Sequence, residues 1–171
     1  MDKKPPRQIK TYSVTVEKDA EGFPLCRWCS VSIRTKSGKP DSRRTFCNDP
    51  NCLHQWLIRS RPGYAAKEVL KRDKGVCSGC GLDCVKLFNE MRLLRKSAAK
   101  VTYEERCNEL GLPRHLRDMC RRLWEMDHEV PVAEGGGSCG LENLRTMCWA
   151  CHKKVTAELV ARLGLTRKKA A

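Results

Sequence analysis

Apolar positions along the chain fall in short runs divided by polar, turn-forming stretches, a pattern that predicts many brief elements and no long periodic array. The alternation Tyr12-Ser13-Val14-Thr15-Val16 predicts one weak strand at the end of a polar, basic arm. Leu53, Trp56 and Leu57, spaced i, i+3 and i+4, predict a helix that opens at Cys52 and closes near Arg61-Pro62-Gly63. A second helix is expected from Tyr64 to Lys74, with Val69 and Leu70 on its apolar side and Gly75 as its stop. Leu82, Val85, Leu87, Phe88, Met91 and Leu94 carry a third, and the chain reads as helical and basic from Asp83 to Trp124. Within that stretch, Thr102 followed three residues later by Glu105 predicts a helix start, and Gly111-Leu112-Pro113 a break. After Trp124 the order becomes strand, glycine-rich loop (Gly135-Gly136-Gly137), short strand, helix. The last helix runs through Val155, Leu159, Val160 and Leu163 to Gly164, and the basic tail after it is expected to fray.

Composition then explains how so little apolar pattern could hold a fold. Of 171 residues only 6% are aromatic while 32% are charged, so core burial is thin and another source of stability is needed. Twelve cysteines are the candidate. The sequence opens without an apolar signal region and holds no run near the ~18 apolar residues of a membrane span, so a soluble, intracellular protein (cytoplasm or nucleus) is expected. In a reducing compartment, cysteines in C-x-x-C pairs are zinc ligands more often than disulfides.

Two such sites can be assembled. Cys26 and Cys29 open a first knuckle that Cys47 and Cys52 close, across a polar loop unable to build a core by itself. His54 is the rival of Cys52 there. Cys77 and Cys80, set among glycines that permit tight turns, need two more ligands, and Cys148 and Cys151 supply them. Cys84 is the rival of Cys80, but it sits in an apolar helical run and fits better as a small packed side chain. The expected layout is a basic arm (residues 1–20), an N-terminal four-cysteine zinc module (21–62) and a larger domain carrying the second four-cysteine site (63–171).

The formal net charge is +14. Each zinc held by four thiolates would lower it by about two, which leaves the chain strongly basic. That excess suits a polyanion, and DNA is the expected partner. Arg114, Arg117, Arg121 and Arg122, three or four residues apart, are expected to share a helix face that could meet phosphates. No membrane partner is expected.

The densest chemistry lies between Trp124 and His152: Asp127-His128, the glycine loop, Leu141-Glu142-Asn143-Leu144, Cys148-x-x-Cys151 and His152. This arrangement resembles the HNH endonucleases, the ββα-metal group in which two strands and a helix cradle one cation. His128 corresponds to the first His, Asn143 to the Asn and His152 to the second His, with Asp127 in the acidic position before the first His. The wider order, from the first knuckle through Gly-Val-Cys-x-x-Cys to the HNH core, is similar to the nuclease region attached to annealing helicases of the SNF2 class. Neither a motor's recruitment nor its ATP coupling is carried over to these residues.

The fold class implied is α+β: a small zinc-stabilised domain with a ββα-metal core, added basic helices and an N-terminal zinc knuckle. The activity implied is hydrolysis of DNA phosphodiester bonds, leaving 5′-phosphate and 3′-hydroxyl ends; the alternative is a zinc-stabilised DNA-binding module without catalysis. Residue chemistry assigns the parts. A neutral imidazole near pH 7 can take the proton of an attacking water, which makes His128 the expected general base. Asp127 offers oxygen to Mg²⁺ or Mn²⁺, and His152 a nitrogen that favours transition metals. Asn143 either completes that coordination or holds the His128 ring. Neighbouring strand residues point to opposite faces, so the strand is expected to bend or end at Asp127-His128. The cofactors expected are thus two structural zinc ions and one catalytic divalent cation, in a monomer or homodimer.

Overall fold

The computed structural model describes residues 16–41, 43–97, 100–118 and 122–164. The expected arm and most of its strand, Cys120, Arg121 and the tail beyond Gly164 lie outside them. The chain divides into two compact units, one formed by the chain up to Glu68 together with Val130–Asn143, the other by Val69–Glu129 with the chain from Leu144 onward.

The first unit has little regular structure before its helix. Isolated bridges pair Lys18 with Pro24, Leu25 with Ser32 and Arg34 with Pro40. Helix α1 follows at Pro50–Ser60. It begins two residues before the expected start because Asp49 caps it, accepting the Asn51 N–H at 2.8 Å, and Pro50 takes the first helical position. One small apolar cluster joins Cys26, Ile33 and Cys52, with Trp28, Phe46 and Cys47 packed against them, and Ile58, Ala65 and Ala66 are buried as well. Helix α2, Pro62–Asp73, again begins on a proline and passes from this unit into the other.

In the second unit, Lys74 and Gly75 both adopt positive φ and stop α2. At Gly75 a Cβ would lie 2.4 Å from the Val85 side chain, so glycine is required by space as well as by φ. A knuckle closed by the Val76–Asp83 bridge leads into α3, Cys84–Lys96, capped by Asp83. Helix α4 spans Lys100–Glu109, two residues earlier than Thr102 suggests. A main cluster of the unit's core joins Leu87, Met91, Tyr103, Cys107, Leu112, Leu116 and Leu123.

Of the expected arginine-bearing helix after Pro113, the described residues show only a 3-10 turn, Arg114–Leu116, and the bonds made around Arg117 and Asp118 account for it. Arg117 donates to Leu112 C=O at 2.9 Å and to Glu104 at 3.2 Å, while its own carbonyl accepts from the Tyr103 hydroxyl. Arg95 bonds the Asp118 carbonyl. Arg122 lies over the Trp124 ring at 4.2 Å. Arg117 is therefore a packing residue in this turn.

Strand β1, Trp124–His128, pairs antiparallel with β2, Leu144–Cys148, and α5, Trp149–Arg162, packs on both. The fold is mixed α/β. Strand β2 is pinned from the end of α2: Asp73 accepts the Thr146 N–H at 2.9 Å, and Arg72, paired with Asp73 at 2.6 Å, donates to Leu144 C=O at 2.5 Å. Burial raises the Asp73 pKa, but hydrogen bonds from Arg72 and Thr146 outweigh it and leave the carboxyl below its ordinary value. A lowered folded pKa means that the contribution is present above about pH 4, the unfolded value, and is lost as pH falls through the folded one. Asp73→Ala is expected to cost about 1–3 kcal/mol at pH 7, because the Thr146 N–H loses its acceptor. Urea unfolding measures this, and a loss below about 0.5 kcal/mol, ordinary for surface changes, would mean that the pin does not hold β2.

Candidate active site

The hairpin register sets the site. Asp127 lies opposite Arg145 and His128 opposite Leu144. Directly opposed residues share a face, and alternation sends Asp127 and His128 to opposite ones. Strand β1 ends at His128, and the chain bends at Glu129 and Val130.

On the Asp127 face three side chains converge. Arg145 donates from Nε at 3.1 Å and from its terminal nitrogen at 2.9 Å, both to Asp127 Oδ2. The other oxygen, Oδ1, lies 3.9 Å from His152 Nε2. The Asp127 side chain is 17% exposed and His152 38%, so the carboxylate is partly shielded and the imidazole is open to solvent. His128, half-buried, is paired through its backbone with Leu144, and its side chain makes no hydrogen bond or ion pair with another described residue.

Asn143 has a different setting. Its Oδ1 accepts the Val130 N–H at 2.7 Å, and its amide nitrogen donates to Val130 C=O at 3.1 Å and Gly136 C=O at 2.9 Å. One side chain thus ties Val130 to the middle of the glycine-rich loop. Gly136 is indispensable to that tie, since a Cβ there would lie 1.7 Å from the Val130 oxygen. Gly135, at φ 91°, turns the chain out of the preceding 3-10 turn Val132–Glu134.

His152 is placed by the start of α5. Cys148 is the N-cap of that helix, and its sulfur accepts the Cys151 N–H at 3.4 Å. Cys148 also donates its own N–H to Cys77 Sγ at 3.2 Å. The sulfurs of Cys77, Cys80, Cys148 and Cys151 all lie within 4.8 Å of one another, as do those of Cys26, Cys29, Cys47 and Cys52. Tetrahedral Zn–S bonds of about 2.3 Å put sulfurs about 3.8 Å apart. Cys80 and Cys148 are 3.8 Å apart, and Cys29 and Cys47 3.7 Å. Gly79 leaves room for this packing, since a Cβ would sit 3.1 Å from the Cys151 sulfur.

The thiol electrostatics also suit a cation in each cluster. Burial raises the Cys26 and Cys77 thiols, but backbone N–H donors outweigh it and draw both down to about 7. Cys52 and Cys151 are pushed up by burial and then by the neighbouring sulfurs. Four crowded thiols cannot all ionise without a positive centre, and zinc supplies one. Both groups could hold a zinc ion. His54 stands outside the first, with Nδ1 2.8 Å from the Tyr64 hydroxyl. Cys84 stands outside the second, fully buried, its thiol pushed up to about 12 by that burial and by the sulfurs nearby.

Residues 105–158 match the model of the HNH endonuclease family. The chain contains an HNH endonuclease domain. The mouse protein named DNA annealing helicase and endonuclease ZRANB3 is 36% identical over 179 aligned positions, covering 95% of this chain and 16% of that protein. Its human counterpart is 36% identical over 150 positions, covering 81% of this chain and 14% of that protein. The chain therefore spans less than a fifth of the length of the curated relatives it matches. A crystal structure of the human ZRANB3 HNH domain aligns at 28% identity and a TM-score of 0.44, over 64% of this chain and 98% of that one.

Arg145 is the residue of this HNH domain that the motif reading passes over. Its signal was available in the register, because any antiparallel pairing that sets His128 opposite Leu144 sets Asp127 opposite Arg145. For the knuckle beneath the site, Cys148→Ser is expected to lower the zinc content of purified protein from two equivalents to about one, with a lower melting temperature. Metal analysis of both proteins measures it, and unchanged zinc would refute the second cluster as a zinc site.

Proposed function

We propose that the chain is a metal-dependent endonuclease that hydrolyses DNA phosphodiester bonds to leave 5′-phosphate and 3′-hydroxyl ends. The observation that carries the reading is the Asp127 carboxylate, with one oxygen tied to Arg145 and the other facing His152 at 3.9 Å. Adjacent octahedral ligands at bonds of about 2.1 Å lie about 3.0 Å apart, so a small turn of the exposed His152 ring toward Oδ1 would let one Mg²⁺ or Mn²⁺ be held by both side chains. Such a cation supplies charge neutralisation at the scissile phosphate and the leaving 3′ oxygen. The +14 charge and the word endonuclease in the relatives' names support DNA as the substrate.

His128 is the general base in this scheme. Its imidazole takes a proton from the attacking water, a task for which the side chain's ring nitrogen is chemically suited. In-line displacement places attack and departure on opposite sides of phosphorus. Asn143 is a positioning residue that sets the course of the loop after β1 through its bonds to Val130 and Gly136. A single site of this kind cuts one strand, so a double-strand break needs a second copy or two successive nicks.

Purified protein with supercoiled plasmid and Mg²⁺ or Mn²⁺ is expected to produce nicked circles, and chelator to abolish them. His128→Ala should lower the nicking rate by about 10²–10⁴-fold while zinc content stays unchanged. Equal nicking by His128→Ala would remove it as the base. Protein that shifts duplex DNA in a gel yet never nicks it would favour the alternative of a binding module without catalysis.

A further inference from the structure

Arg145 uses the Asp127 carboxylate in an uncommon way. A guanidinium fork usually takes both oxygens of a carboxylate through two parallel bonds. Here both donors end on Oδ2, at 3.1 and 2.9 Å, and Oδ1 is left facing His152. The pair is fixed from below by the strands, since Asp127 and Arg145 are directly opposed in the ladder. It is also shielded, with side chains 17% and 24% exposed.

We infer that Arg145 is a cation-selecting residue: by occupying Oδ2 it makes Asp127 a one-oxygen ligand and biases the site against Ca²⁺. The inference rests on the reading that Asp127 and His152 hold the cation. Ca²⁺ takes six to eight oxygens and commonly both oxygens of a carboxylate, whereas Mg²⁺ and ions of its size accept one and keep their waters. To offer both oxygens, Asp127 must break two charge-assisted hydrogen bonds. The His152 nitrogen adds to the bias, because imidazole suits Mn²⁺ better than Ca²⁺. Charge repulsion from the guanidinium is a separate effect, weakening every dication alike and leaving their ratio untouched. Selection and repulsion therefore predict different results.

The test uses the zinc-loaded protein without DNA. Mn²⁺ binding is followed by electron paramagnetic resonance and Ca²⁺ by its competition for the same site, in the wild type and in Arg145→Met, which keeps the apolar stem and removes both donors. The ratio of the Ca²⁺ to the Mn²⁺ dissociation constant is expected to fall about tenfold in the variant, within the range of changes to groups that orient a metal ligand. Arg145→Gln, which keeps at most a single N–H toward Asp127, should move the ratio the same way by less, and serves if the first variant does not retain its zinc. Equal strengthening of both ions would overturn selection and leave only repulsion. Wild-type Mn²⁺ binding that is absent, or unaltered by Asp127→Asn and His152→Ala, would overturn the cation site itself and the inference with it. A ratio unchanged in both arginine variants, with Mn²⁺ binding still dependent on Asp127, would sink the inference alone.

Discussion

Cys148 is the residue on which the second unit depends, because three constraints meet there. It ends β2, it caps α5 through its sulfur, and it belongs to the cluster with Cys77, Cys80 and Cys151. Arg145 lies three residues before it and His152 four after, so both neighbours of Asp127 are placed from this junction. Asp127 is brought to them by the pairing of β1 with β2. A zinc ion at Cys148 would thus hold the geometry of the site without taking part in hydrolysis. The division of labour follows from ligand chemistry, since thiolates suit zinc while one carboxylate and one imidazole suit a harder or borderline ion.

The first unit repeats the logic with different parts. Cys52 sits in the first turn of α1, whose start is fixed by Asp49 and Pro50. The cluster around its thiols holds three buried residues, two of them cysteines, so apolar burial alone would not hold that part of it. Arg59 reinforces the packing beneath α1, lying 4.6 Å from the Trp28 ring and 2.7 Å from the Gln55 side-chain oxygen. In each unit a helix start and a thiol cluster fix each other, which suits a chain that is 32% charged.

What was legible in the sequence follows from how local each signal is. The two cysteine quartets could be paired from spacing, and apolar context separated Cys84 from Cys80, because burial and ligation leave different neighbours in the chain. Helices with a strong apolar period were visible, but their starts were not: the Asp49-Pro50 cap outranked the first apolar residue of α1. The stretch from Arg114 to Arg122 failed for the opposite reason. Its charge spacing mimics a helix face, yet in its described part, up to Asp118, bonds involving Tyr103, Glu104 and Arg95 hold a short turn instead. At the site, the motif proposes His128, Asn143 and His152 as candidates, while the bonds of Asn143 to the loop and the place of Arg145 opposite Asp127 depend on chain pairing that no single residue reveals.

The Asp127–Arg145 pair is better understood as orientation than as stability. A surface ion pair contributes only about 0–1 kcal/mol, and a partly buried one surrenders much of its attraction to desolvation. That return does not by itself explain an arginine beside a carboxylate proposed to bind a cation, where a second positive charge would cost affinity. A device that restricts the carboxylate to one free oxygen gives a reason for accepting that cost. Both donors converge on the oxygen that faces away from His152, so the restriction leaves the bridging oxygen open. Had the fork taken both oxygens, the same pair would have closed the site it now shapes.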